Sequence, residues 1–258
     1  MKKTVSILVV VLMIIVSSIN TQASATKTFK EDIQYKEVTD ARDLLTYWLL
    51  LNDNEYVKKN PAITKKFLIN SEEDEYIISI TQLLEQKTEK NGAVVRTFAT
   101  SNLTIVDDNN ELINREQLRS IVIHNGSSIE YLGNYNVGVK YTAYWQWYVD
   151  DSINDYARCY RSTAQVVSTS STYWVTKFEH SFFENVDGIY EIEDIVTNLN
   201  PTAYQVYDAF NPHTQFFNIT LYFSRVDAGI RVTYNTGTTA ETSINIKQAV
   251  QNAAYFGD

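Results

Sequence analysis

A single cysteine, three prolines, three histidines and eight glycines are all that this 258-residue chain contains of these types. One cysteine excludes an intramolecular disulfide, so stability has to come from the packed core. So few prolines and glycines leave no Pro-rich or Gly/Ser-rich linker, and no internal repeat marks an array of modules. Basic residues are also in deficit. Against 31 Asp and Glu stand 22 Lys and Arg, a formal net charge of −9. A surface this acidic argues against sequence-independent nucleic-acid binding, which needs cations to displace phosphate counterions. It argues equally against electrostatic adsorption to anionic lipid. Apolar residues are not scarce: at 44% hydrophobic the chain is globular rather than disordered.

The one long apolar run lies at the start. Lys2 and Lys3 precede Val5–Val16, and Ala23-Ser24-Ala25 supplies a small-x-small cleavage pattern, so residues 1–25 read as a secretory signal peptide. The run is well short of the roughly 20 residues that span a bilayer. Asn252–Asp258 carries no hydrophobic tail, and no cysteine follows the apolar run to take a lipid. The expected mature protein is therefore secreted, with no stable membrane anchor. Exported proteins of Gram-positive bacteria commonly avoid cysteine, and the Met1-Lys2-Lys3 opening suits that origin.

Residues 26–74 read as a lead-in followed by a helical segment. Thr39 or Asp40 can cap a helix in which Leu44, Leu45, Trp48 and Leu49 recur at helical spacing, ending by Asn52–Asn54. From residue 75 to 258 the period changes to two. Tyr76–Lys90 and Ala93–Val106 flank Asn91-Gly92, which predicts a two-residue turn pairing Lys90 with Ala93 and Ile78 with Ile105. In Val137–Val149 the odd positions, Trp145 and Trp147 among them, point one way, while Tyr144, Gln146 and Tyr148 point the other. Tyr156–Ser168 reads as the return strand. Tyr173–Phe183 shows an apolar face of Trp174, Phe178 and Phe182 and turns into Ile189–Val196. Thr197–His213 reads as irregular, Phe216–Val226 and Ile230–Tyr234 as a hairpin about Asp227-Ala228-Gly229, and Thr242–Val250 as an edge strand or a short helix. The expected fold is mainly β: an antiparallel β-sandwich or barrel-like pair of sheets with a short N-terminal helical segment.

Tests for chemistry return little. His124, His180 and His213 form no metal-binding spacing, and no cofactor or metal is implied. Asp107-Asp108-Asn109-Asn110-Glu111 starts like a calcium loop, but Leu112 and Leu118 stand where an EF-hand needs Gly and Glu. No Gly-x-Ser-x-Gly elbow surrounds any serine. His124, Cys159 and Arg161 supply, in order, the residue types of a sortase-type cysteine transpeptidase. The Thr-Leu-x-Thr-Cys run of that family is absent, however, since Asp155-Tyr156-Ala157-Arg158 precedes the cysteine. No catalytic residue is assigned.

Aromatic content is the positive feature: 4 Trp, 18 Tyr and 11 Phe. With Trp145 and Trp147 in the core, Tyr144, Gln146 and Tyr148 form an outward strip suited to stacking on sugar rings or to adhesive contacts. The reading is a secreted, non-enzymatic β-protein that binds an extracellular or cell-envelope ligand, a glycan, cell-wall material or a protein, through aromatic strand faces. Two alternatives accompany it. One is a membrane-active protein in which Arg158–Thr176 inserts as a hairpin. The other is an enzyme using Cys159.

Overall fold

The computed structural model describes residues 32–51, 54–59, 67–70, 77–106, 137–149, 154–186, 189–221 and 223–253. The candidate calcium loop, His124, residues 1–31 and Asp150–Ile153 lie outside them. The architecture is mainly antiparallel β. In chain order the elements are β1 (Ile33–Gln34), α1 (Ala41–Leu51), α2 (Asn54–Lys59), β2 (Phe67–Asn70), β3 (Ile77–Thr88), β4 (Val94–Val106), β5 (Val137–Val149) and β6 (Tyr156–Ser168). There follow β7 (Val175–Val186), β8 (Ile189–Leu199), β9 (Val206–Phe210), β10 (Phe217–Asn218), β11 (Arg225–Tyr234), β12 (Thr239–Asn245) and α3 (Ile246–Ala253).

One sheet has eight strands in the order β1-β3-β4-β5-β6-β10, with β2 also on β3 and β9 also on β6. The second has the order β12-β11-β7-β8. Apolar side chains of both sheets and of α3 meet in one core, in which Phe98, Tyr141, Trp145, Phe178, Phe182 and Ile246 are fully buried. Phe98 stacks on Trp145 with ring centroids 4.3 Å apart. Asn102 of β4 donates to Thr242 of β12 at 2.9 Å and links the sheets through a polar contact.

The odd residues of β5 from Val137 to Trp147 enter the core as the alternation predicts, but Lys140, Thr142 and Tyr144 on the other face are buried as well. Other expectations are corrected. The β3–β4 turn is not the two-residue type. Glu89 pairs with Ala93 through Glu89 N to Ala93 O at 2.7 Å, leaving three residues in the loop. That type needs only one residue at positive φ, which Gly92 supplies at 87°. An irregularity between Leu83 and Glu85 then shifts the register again, so Ile78 faces Leu103 rather than Ile105. Asp227-Ala228-Gly229 is no turn but the middle of β11, and the hairpin bends beyond Tyr234. At Gly229 a Cβ would lie 2.8 Å from Ser181 Oγ on β7, so a side chain there would oblige that hydroxyl to turn away. Trp174 is 47% exposed rather than part of the apolar face, and the stretch read as irregular contains β9. The region 242–250 supplies both the end of β12 and the start of α3.

The N-terminal segment belongs to the same body. Gln82 receives Val38 N–H at 3.0 Å and donates to Lys36 O at 2.7 Å, while Leu44 and Leu45 of α1 are buried. The main-chain carbonyl of Asp40 accepts Leu44 N–H at 3.1 Å, the first bond of α1, which puts Asp40 at the N-cap position.

Candidate functional site

The residues singled out on β5 are brought together with partners on β6. Tyr144 faces Arg161, Gln146 faces Arg158, and Tyr148 faces Tyr156 across the ladder. All lie on the side of the eight-stranded sheet turned away from the core, because the pleat sends their odd-numbered neighbours inward. An irregularity between Tyr144 and Trp145 leaves Tyr160 without a ladder partner, and its ring comes within 6.4 Å of Tyr144.

Rings and guanidinium groups alternate along this face. Tyr148 meets Tyr156 edge-on at 6.2 Å and Phe216 at 5.7 Å. Arg158 lies over Phe216 at 4.6 Å, donates twice to Gln146 Oε1 at 2.9 and 2.7 Å, and donates to Thr214 O. Arg161 lies over Tyr144 at 4.7 Å and Phe210 at 5.9 Å, and its Nη2 pairs with Asp208 at 2.6 Å. The arginines lie against the rings; the charge of Arg161 is met by Asp208, and the guanidinium of Arg158 is hydrogen-bonded to neutral oxygens.

The strip is not open along its length. Tyr144 is 7% exposed, and its hydroxyl donates to Glu37 at 2.8 Å under the N-terminal segment. Burial, reinforced by the Glu37 charge, pushes its phenol above the usual tyrosine range. Lys140, four residues earlier on the same face, is also covered, donates to Thr39 O, and has its ammonium lowered by burial. Gln146 and Tyr148 are half-buried. Phe210 is an open aromatic of the face, 65% exposed, on a strand that period-two alternation did not reveal.

The other chemistries are constrained by burial. Cys159 is fully buried, its thiol pushed up chiefly by desolvation, and it donates to Tyr144 O at 3.4 Å. His180 shares a 2.7 Å hydrogen bond with Ser162 Oγ, and both are fully buried. Burial pushes the imidazole down to about 4 against the opposing charge of Asp208. No group of three metal-ligating side chains occurs among the described residues. The segment read as a membrane hairpin is divided: β6 pairs with β5, β9 and β10, whereas β7 pairs with β8 and β11 in the other sheet. No helix among the described residues is long and apolar enough to cross a membrane. A shallow polar depression of about 200 Å³ on the outer side of the four-stranded sheet is lined by Glu179, Ser181, Gly229, Arg231, Glu241 and Ser243. Its Arg231 pairs with Glu241 at 2.5 Å and its Glu179 with Lys177 at 2.9 Å.

Comparison with known proteins adds no identity. No protein-family model matches the chain, no curated protein matches it, and no solved structure matches its fold.

Proposed function

We propose that this chain is an exported, non-enzymatic β-sandwich that binds an extracellular or cell-envelope ligand, a glycan above all, through aromatic side chains on the outer face of its eight-stranded sheet. The observation that carries this reading is the row Phe216, Tyr148, Tyr156 and Phe210, mounted on paired strands and flanked by Arg158 and Arg161. Rings held rigidly at a half-open surface offer contact area at little entropic cost, and flat faces with polar neighbours suit sugar rings. Export is supported by Lys2-Lys3, the run Val5–Val16 and the small residues at Ala23 and Ala25. Burial of Cys159 and of the Ser162–His180 pair favours binding over catalysis.

The test is co-sedimentation of the mature chain, Thr26–Asp258, with insoluble cell-wall material and, in parallel, with liposomes. Pelleting with wall alone is the expected result. Pelleting with liposomes alone would replace this reading by a membrane-active one, and a protein soluble in both would remove the envelope ligand.

A further inference from the structure

Tyr204 stands in the loop between β8 and β9 with φ at 67°, a left-handed conformation that is uncommon for a bulky side chain. Main-chain contacts hold it there. Its N–H donates to Val166 O at 2.7 Å, and its carbonyl accepts from Gln165 Nε2 at 2.8 Å. Neither bond uses the phenol, and glycine or asparagine would occupy the same backbone with less strain. The ring is 62% exposed. A costly conformation that presents an open aromatic side chain, with no bond from that ring to the loop, has the character of a functional residue.

Beyond Tyr204, β9 continues the row. Val206, Asp208 and Phe210 lie opposite Gln165, Thr163 and Arg161 of β6, on the face turned away from the core. Val206 is 48% and Phe210 65% exposed, while Tyr207 and Ala209 turn inward, Tyr207 towards Phe178 at 5.9 Å. The open face of the strand therefore runs Val206, Asp208, Phe210, apolar at both ends and polar between, and the exposed Tyr204 stands in the loop two residues before it. Asp208 and Arg161 neutralise one another at 2.6 Å, so the row has no net charge to recruit an ionic ligand. From Val206 to Phe210 the strand covers roughly 13 Å, longer than a single sugar ring.

We infer that the edge strand β9, with Tyr204 at one end and Phe210 at the other, is a platform for a neutral, linear oligosaccharide lying along the strand. The inference rests on the envelope-binding reading and narrows it to a ligand class and a set of contacts. Apolar sugar faces stack on Tyr204 and Phe210, and hydroxyls meet Gln165 and the Asp208–Arg161 pair. A lipid surface would have to strip the water from that half-open ion pair, and a polyanion would find the Arg161 cation already paired.

The experiment measures pelleting of the purified protein with insoluble cell wall, its competition by a soluble β-1,4-linked N-acetylglucosamine tetramer, and thermal melting. The variants are Tyr204→Asn, Tyr204→Phe and Phe210→Ala. Tyr204→Asn should melt no lower than the wild type while losing at least tenfold in wall affinity, and Phe210→Ala should lose as much. Tyr204→Phe should bind as the wild type does, and the tetramer should compete. Wild-type pelleting that both Tyr204→Asn and Phe210→Ala retain would overturn the platform and leave the envelope reading to the Tyr148–Phe216 end. A marked fall in melting temperature for Tyr204→Asn would make the ring structural and also overturn it. Failure of the tetramer to compete would overturn the ligand class, and a wild type that neither pellets nor binds the tetramer would remove both readings.

Discussion

The hydroxyl of Tyr144 donates to Glu37 at 2.8 Å, a bond that joins the middle of β5 to a segment 107 residues earlier. With Gln82 bonded to Lys36 and Val38, and Lys140 to Thr39, it fastens the N-terminal segment over the outer face of the larger sheet. Tyr144 therefore acts as a structural anchor at the covered end of the aromatic strip. Tyr144→Phe should lower stability by about 1 kcal/mol through the lost hydrogen bond. Tyr144→Ala should lower it by about 3 kcal/mol through lost packing as well. Urea unfolding with an unchanged m-value checks both. Wall pelleting by Tyr144→Phe should match the wild type.

That cover explains where reading the sequence stops. Period-two alternation tells which side chains share a face, so the odd and even sets of Val137–Val149 were legible, and so was the return strand Tyr156–Ser168. It does not tell what lies over a face. The residues over Tyr144 and Lys140 come from Lys36–Leu45, whose own pattern signals only a capped helix. Register was lost for a related reason. Asn91-Gly92 suits two turn types, and the irregularity between Leu83 and Glu85 has no signature in a strand whose polar and apolar residues already mix. Gly229 resembled a turn residue because aspartate and glycine flank an alanine, yet its lack of a side chain serves the approach of Ser181. The short strand β9 escaped notice because Val206–Phe210 alternates over only five residues and Pro201 and Pro212 flank it.

The core contains a polar contact that strand alternation cannot foresee. Trp145 Nε1 donates to Thr100 Oγ1 at 2.8 Å, and Thr100 shares a second bond with Thr81 at 2.9 Å. Thr100→Val keeps the shape but leaves the buried indole N–H unpaired. It should cost about 2 kcal/mol, while Thr100→Ser, which keeps the hydroxyl, should cost less. Denaturant melts of the two variants side by side give the comparison.

Cys159 should behave as a core residue. It is fully buried, its thiol is raised by desolvation, and it donates to the carbonyls of Tyr144 and Arg161. A thiol reagent added at pH 8 should modify the native protein no faster than the protein unfolds, and should modify it at once in denaturant. Rapid reaction of the native protein would reopen the cysteine-enzyme reading. Cys159→Ala should leave wall binding unchanged.

His180 gives the fold a defined weakness towards acid. Its folded value of about 4 lies below the ordinary 6.5, with burial as the main cause. The unfolded chain therefore binds this proton at a higher pH than the folded one. Stability is greatest above 6.5, falls as the pH drops from there towards 4, and levels off below. Between pH 7 and pH 4.5 this one group should remove about 2 kcal/mol. Asp227 works in the opposite sense: burial raises its carboxyl despite Arg225, so its contribution favours the folded state on the acid side. The wild-type curve mixes the two, and subtracting a variant separates them. His180→Leu has no group to titrate at this position, so the difference between wild-type and variant unfolding free energies should follow the histidine alone. A difference that stays flat from pH 7 to 4.5 would mean that the imidazole is protonated in the core, with its charge met by a partner.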